Sequence, residues 1–341
     1  MPKLFFEYAK LLRLPGLGGL SLAPVFGALS ILSLGVKIDY IDILLMFIIG
    51  LISAIYSFVS NDIIDIEIDK LSEDTKKRPL VTGTISIKSA KIISILCIII
   101  AFIIAFFFYY RPHISFYLAI LSMILAAILG TIYNVYGKKF ATSSIVASIS
   151  ESFLVLVGVF LISPDASLSI FSWVIIVLMF NQTLFMTAVI GGIKDADHDY
   201  LLNVKNLALK SGVKVTENKD IFLPNSFKLF GFSLRFSSAI LLFIPILFFN
   251  IDYKIWQIAL LLFVSIFVLF FSIKLLNLKN LKGDNIARFA GIQGILRYTF
   301  VPFLLLPIIN ITNSLLLIIL PIIWYIIFTP LSGMKLFKNV M

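Results

Sequence analysis

Residues 43–69 read ILLMFIIGLISAIYSFVSNDIIDIEID. Ile43 to Ser60 carry no charge, and a helix of that length rises about 27 Å, close to the ~30 Å hydrocarbon core of a bilayer. Directly afterwards come four acids, Asp62, Asp65, Glu67 and Asp69. The stretch therefore predicts a membrane-crossing helix that runs into a cluster of carboxylates. The composition extends the first half of that reading to the whole chain: of 341 residues, 60% are hydrophobic and 13% charged, against about 25% charged in ordinary soluble domains. Such a chain is not disordered, not a disulfide scaffold and not a conventional soluble enzyme. The single cysteine, Cys97, lies inside the apolar run Ile92 to Ile100 and reads as helix packing, so no intrachain disulfide or cysteine metal cluster is available.

Apolar runs of spanning length predict helices near residues 14–35, 43–61, 92–109, 114–133, 143–162, 170–190, 236–250, 256–273 and 294–310, with 314–329 a candidate tenth. The span at 236–250 is short and borrows from Phe232 onward. The fold class is thus all-α, a polytopic transmembrane bundle, with residues 1–310 as the main domain and 311–341 as a C-terminal extension holding the extra span. Residues 1–13 mix charged and aromatic side chains and read as an interfacial lead-in rather than a signal peptide.

The formal charge is +10, and its placement decides what it means. Counted on alternate connections between the predicted spans, 23 of the 28 Lys and Arg fall on one side; only Lys37, Arg111 and Lys254 fall on the other. By the positive-inside rule the N-terminus and the 62–91 and 194–235 connections are cytoplasmic. Lys335 and Lys338 after the last apolar run favour an even number of crossings. No soluble basic domain exists to bind nucleic acid, and no obligatory protein partner is evident.

The two long cytoplasmic connections hold nearly all the dense polar chemistry. If the second helix continues through Asn61-Asp62-Ile63-Ile64-Asp65-Ile66-Glu67-Ile68-Asp69, then Asp62, Asp65 and Asp69 share one face. Three stacked carboxylates at a membrane edge repel one another unless some are protonated or a cation binds them. A solvated acidic helix end is the competing reading. Oxygen ligands with no His or Cys among them suit Mg²⁺. The segment Lys194-Asp195-Ala196-Asp197-His198-Asp199 repeats the chemistry, with Asp195 and Asp199 on one face. Two acid clusters at helix ends around one bundle mouth, each followed by basic residues, form a site for two Mg²⁺ ions and a diphosphate. Acid-rich segments following helices two and six also hint at two similar halves.

These residues resemble the UbiA superfamily of intramembrane prenyltransferases over roughly residues 5–310. The signature Asn-Asp-x-x-Asp-x-x-x-Asp is matched by Asn61, Asp62, Asp65 and Asp69, and is followed by Arg78-Pro79-Leu80-Val81-Thr82-Gly83-Thr84-Ile85. Asp195 and Asp199 match the second signature, with Lys205 six positions later, and Tyr133-Asn134-Val135-Tyr136-Gly137-Lys138-Lys139 looks like the family's Tyr-rich segment ending in a basic pair. The chain departs from the pattern at Asn206, where Ser or Thr is common, and in a longer loop at 210–228. The resemblance implies nine core helices around a central cavity, Mg²⁺ as cofactor, and transfer of a prenyl group from an allylic diphosphate to a hydrophobic or aromatic acceptor in the membrane. It implies that Asp62, Asp65 and Asp69 bind one metal and Asp195 and Asp199 a second. Asn61, Arg78, Tyr133, Lys138, Lys139, Lys194 and Lys205 are then the residues expected around the substrate. The hydroxybenzoate-directed and glyceryl-phosphate-directed branches are both compatible, as are naphthoate, haem or chlorophyll precursors and carotenoid ends.

Other polar residues have structural readings of equal or greater weight. Glu151 in the fifth span is either a cavity group acting on the acceptor or a packing residue. Asn181 and Gln182 either meet an acceptor head or join helices. Asp197, Glu67 and His198 read as loop support. A CDP-alcohol phosphotransferase would need Asp-Gly and Ala-Arg ahead of its paired aspartates, and Ile63 follows Asp62 here. An ion-coupled transporter would place its acids nearer the bilayer midplane on broken helices.

Overall fold

The computed structural model describes residues 2–71, 75–196, 199, 204–216, 220–279 and 285–332. Asp197, His198, Lys335 and Lys338, read above as loop support or as topology signals, lie outside the described residues. The chain is almost wholly helical. Helix α1 (Pro2–Leu11) leads into α2 (Leu14–Leu20) and α3 (Leu22–Ser30), which ends in a 3₁₀ turn at Ile31–Leu34. Then come α4 (Tyr40–Ile64), the short α5 (Ile66–Asp69), α6 (Ile87–Tyr109), α7 (Ile114–Tyr136) and α8 (Ser143–Ile162). Helix α9 (Ile170–Leu184) continues as a π-helical stretch, Phe185–Gly191, to Lys194. A short α10 (Leu207–Lys210) and a two-stranded antiparallel pair, β1 (Lys214–Val215) and β2 (Ile221–Phe222), cap the bundle before α11 (Asn225–Leu241) and α12 (Ile244–Phe249). The chain closes with α13 (Ile255–Leu276), α14 (Asn285–Leu304) and α15 (Ile311–Leu331).

Nine helical segments among the described residues are long and apolar enough to cross a membrane, the last of them α15. The protein is a multi-pass membrane bundle. Two expected spans differ from the observed helices. The seventh begins at Asn225 rather than at 232–236, and so encloses Arg235, which is 1% exposed. Arg235 closes the 194–235 stretch, which reads in the sequence as a cytoplasmic connection. Its Nη1 donates to Gln182 Oε1 at 2.8 Å and its guanidinium lies 3.8 Å from the Phe185 ring centroid, so the helix carries a charge that the sequence pattern assigns to a loop. The span expected at 294–310 falls on the helix Asn285–Leu304, which is not among the nine; in it Gln293 is fully buried and donates to Ser272 Oγ at 2.9 Å.

Packing follows membrane rules. On α6 the residues Ile95, Ile99, Ile103 and Phe107 are exposed at steps of four, while Ala90, Ser94, Cys97, Ala101 and Ala105 face inward. The large apolar side chains meet lipid and the small ones allow close helix approach. The tightest crossing is α3 on α8. A Cβ at Gly27 would sit 2.0 Å from the Val155 carbonyl oxygen, and one at Gly158 would sit 1.8 Å from that of Pro24. Polar tethers join α4 to α7: Asn134 Nδ2 donates to Ser60 Oγ (2.7 Å) and the Ser57 carbonyl (3.1 Å), and the Tyr56 and Thr131 hydroxyls pair at 2.5 Å.

Gly158→Ala should lower the apparent melting temperature of the detergent-purified protein, because the added methyl collides with backbone that cannot rotate away. The expected loss is on the order of 1–3 kcal/mol, as for overpacked cores. Gly130→Ala, where the nearest atom is Ser150 Oγ at 3.4 Å, should change it much less.

Candidate active site

Helix α4 does not run unbroken through its acids. It ends at Ile64, Asp65 bends the chain, and α5 carries on to Asp69, with Asp65 N–H bonded to the Asn61 carbonyl and Asp69 N–H to that of Asp65. The bend splits the expected common face. Asp62 and Asp69 turn to one partner: Arg78 Nη1 donates to Asp62 Oδ1 at 3.1 Å and to Asp69 Oδ2 at 2.6 Å. Asp65 turns elsewhere, accepting from Lys138 Nζ at 3.0 Å and from Asn61 Nδ2 at 3.1 Å. All three are at most 5% exposed. Burial pushes the Asp69 carboxyl above the ordinary carboxylate value, and the nearby charges of Asp62 and Asp65 add to that, while the charge and hydrogen bond of Arg78 oppose it.

A second guanidinium completes the network. Arg13 Nη2 bonds Asp62 Oδ1 at 2.5 Å, and its guanidinium carbon lies 4.9 Å from the Phe58 ring centroid. Arg13 has left-handed backbone, φ 48° and ψ 45°, at the joint between α1 and α2.

The second acid pair is more open. Asp195 is exposed and Asp199 half-buried, one helical turn apart, with Asp199 N–H bonded to the Asp195 carbonyl. Asn206 Nδ2 donates to Asp199 Oδ2 at 2.5 Å, and the Asn206 side chain also caps α10 through the Leu209 amide. Tyr133 lies within electrostatic reach of Arg13 and of acids from both motifs, Asp65, Asp195 and Asp199. The segments of Lys138 and Lys205 are joined by backbone, since Lys205 N–H bonds the Lys138 carbonyl at 3.0 Å. The basic pair divides: Lys138 faces Asp65, whereas Lys139 lies 5.1 Å from the Tyr136 ring centroid and lines a separate surface pocket with Lys205 and Lys210. Lys194 is exposed at the end of α9, and Glu67 is exposed and paired with Lys70.

Beneath the acids a cavity of about 320 Å³ opens between α4, α6, α7, α8 and α9. Arg13, Asn61 and Tyr133 stand in its wall near the acids; Ile49, Ala101 and Leu154 are among the apolar residues that line it. Glu151, Thr183 and Thr187 add polar groups to the wall. Asn181 and Gln182 turn the other way, to Ser237 and Arg235 on α11, and join helices.

No three His, Cys, Asp or Glu side chains among the described residues close into a metal cage. The donor set nevertheless fits Mg²⁺, an ion that keeps several waters and takes one or two carboxylates plus substrate phosphates. One cationic atom, Arg78 Nη1, already lies within 3.1 Å of carboxylate oxygens from both Asp62 and Asp69. Arg13 and Asn206 are site residues that no motif in the sequence marks; the departure from the family pattern at Asn206 was the only signal for either.

The sequence matches the UbiA prenyltransferase family over residues 21–290. Digeranylgeranylglyceryl phosphate synthase of Saccharolobus solfataricus is 27% identical over 213 residues, covering 61% of this chain and 69% of that protein. Protoheme IX farnesyltransferase of Baumannia cicadellinicola is 26% identical over 222 residues, covering 64% and 72%. Among solved structures, one of digeranylgeranylglyceryl phosphate synthase superposes with a TM-score of 0.64 at 19% identity, over 91% of this chain and all of that one. A UbiA homologue from Archaeoglobus fulgidus bound to DMAPP and Mg²⁺ gives 0.60 at 16% identity, over 89% and 99%. With most of its length inside the family match and its fold shared with these neighbours, the chain belongs to the UbiA prenyltransferase family and is a membrane-embedded prenyltransferase.

Proposed function

We propose that the protein transfers a prenyl group from an allylic polyprenyl diphosphate to a lipophilic or aromatic acceptor within the membrane, in a Mg²⁺-dependent reaction that releases diphosphate. The observation that carries this reading is the pairing of buried aspartates with Arg13, Arg78 and Lys138 at one end of an apolar cavity. A diphosphate and divalent cations satisfy the same charges in a second way: the basic groups pass from carboxylate to phosphate oxygens, and the carboxylates are left to the metal. Asp62, Asp65 and Asp69 would hold one ion and Asp195 and Asp199 another. Bound there, Mg²⁺ supplies neutralising charge to the diphosphate and makes it a better leaving group.

The protein's own groups do the rest. Arg78 and Arg13 present planar donor forks suited to phosphate oxygens, and Lys138 adds a point charge. Asn61 and Tyr133 flank the same mouth, with the exposed Lys194 next to Asp195, while Lys139 and Lys205 line the separate surface pocket. As the allylic C–O bond breaks, its electron pair leaves with the diphosphate, where the basic groups stabilise the developing charge. The allylic cation would stay in the largely apolar cavity, whose lining includes the Tyr133 and Phe102 rings. The acceptor forms the new bond and gives up a proton. The A. fulgidus homologue, solved with DMAPP or GPP and Mg²⁺, supports the donor class and the metal. The named relatives make glyceryl-phosphate lipids and haem precursors the first acceptors to test, beside hydroxybenzoate and naphthoate. The acid clusters and the N-terminus are assigned to the cytoplasmic side, on the basic residues of the connections around them.

Purified protein with labelled geranylgeranyl diphosphate, Mg²⁺ and that acceptor panel should yield a prenylated product and diphosphate, identified by mass. Chelation of Mg²⁺ should stop turnover, and Asp62→Ala should slow it by about 100-fold or more, the usual effect of deleting one electrostatic element of a site. A donor left intact with every acceptor, together with unchanged diphosphate binding by Asp62→Ala, overturns the reading.

The raised Asp69 carboxyl gives a pH dependence whose sign is fixed. The metal-free site holds its proton to higher pH than a free carboxylate, and only the ionised form binds the cation. Activity should therefore rise with pH through a limb above the ordinary carboxylate range. Raising Mg²⁺ should move that limb to lower pH, as measured in rate profiles at two metal concentrations.

Orientation is checked separately. In a Cys97→Ser background, Thr82→Cys should react with a membrane-impermeant maleimide only from the cytoplasmic face of oriented vesicles, and Lys37→Cys only from the opposite face.

A further inference from the structure

We infer that Trp324, on the C-terminal helix beyond the family match, is a positioning residue that holds Arg13 in the diphosphate site. This rests on the assignment of Arg13 to that site made above. Arg13 reaches Asp62 from an unfavourable backbone. It is one of three non-glycine residues with positive φ among the described residues, and left-handed geometry costs an L-residue about 1–2 kcal/mol. Nothing in the type of residue favours that geometry, so its surroundings must hold it. The restraint comes from the far end of the chain. The Trp324 indole N–H donates to the carbonyl of Leu14, the residue after Arg13, at 2.7 Å. One turn further along α2 the indole lies against Gly18, where an added Cβ would be 2.5 Å from Trp324 Cγ. The indole is itself fixed, stacked on Phe328 at 4.5 Å between ring centroids and set edge-on to Phe47 of α4 at 5.8 Å.

The rest of α15 has few inward contacts: only 17% of its spanning window is buried. Helix α15 packs along α2, where Trp324 both bonds the backbone and fills the space over Gly18, and Tyr298 of α14 lies against Gly19. Both ends of this link lie outside residues 21–290: Arg13 before the matched stretch and Trp324 after it. The added helix packs onto a segment that delivers one of the two guanidinium groups at the mouth.

The test is a double-mutant cycle on the full-length protein, reading KM for geranylgeranyl diphosphate, inhibition by inorganic diphosphate, kcat and thermal unfolding. Trp324→Phe keeps the ring and removes the N–H; Trp324→Ala removes both. Arg13→Gln should raise KM and weaken diphosphate inhibition. Trp324→Phe should do the same by about three- to tenfold, the range of one net hydrogen bond, with little change in kcat. In the Arg13→Gln background, Trp324→Phe should add nothing to either constant, because its effect passes through Arg13. Trp324→Ala should repeat the pattern more strongly. Equal effects of Trp324→Phe in both backgrounds, or a fall in melting temperature with KM and inhibition unchanged, overturn the inference. If Arg13→Gln itself leaves KM and diphosphate inhibition untouched, the assignment of Arg13 to the site fails, and the positioning role fails with it. That outcome is distinguishable from a failure at Trp324 alone.

Discussion

Asp62, Asp65 and Asp69 lie at the edge of the bundle with almost no contact with water, and carboxylates so placed must be met by positive charge or by protons. Removing one partner of such a buried pair typically costs several kcal/mol, because it strands the other. Much of the architecture around the mouth answers that demand. The bend at Asp65 separates one acid from the other two, so that Asp65 meets Lys138 while Asp62 and Asp69 share Arg78. Three basic side chains from three parts of the chain converge on them: Arg13 from the α1–α2 joint, Arg78 from the loop before α6, and Lys138 from beyond α7. An array of buried carboxylates and partly exposed cations is stable as it stands and is also ready to exchange partners with a charged ligand.

How far the site can be read from the sequence depends on distance along the chain. Asp62, Asp65, Asp69 and Arg78 lie within 17 residues, and their spacing alone points to a cation and a phosphate. The second pair follows from type and helix-end position, and Lys138 from the family resemblance. Arg13 carries no local mark: it is one basic residue among several near the N-terminus, and only tertiary packing brings it to Asp62, 49 positions away. Arg235 fails to read for the opposite reason. Its neighbours Ser233, Ser237 and Ser238 lower the local hydropathy as a loop does, while Gln182 and the Phe185 ring, which make its burial tolerable, come from another helix. In α14 the polar Gln293, which hydropathy rejects, is likewise turned toward Ser272. Hydropathy reports what lipid accepts, and these helices are placed by what protein accepts.

The bundle also divides its labour by side-chain size. Where α3 meets α8, glycines bring backbones into contact and leave no room for a ligand. Where α4, α6, α7 and α8 surround the cavity, polar tethers such as Asn134 to Ser60 hold the helices together around the open space. An apolar tail can thus lie among side chains without prising the helices apart.

The π-helical stretch Phe185–Gly191 leads from the cavity wall, where its Thr187 stands, to Asp195. A π-turn accommodates an extra residue within a helix, and each residue of an α-helix turns its successors by about 100°. The direction in which Asp195 and Asp199 point is therefore a matter of counting: one residue more or fewer in that stretch swings the acids to a different side of the helix while leaving every motif letter in place. Spelling alone does not make the second acid pair part of the mouth; the length of the thread that leads to it does.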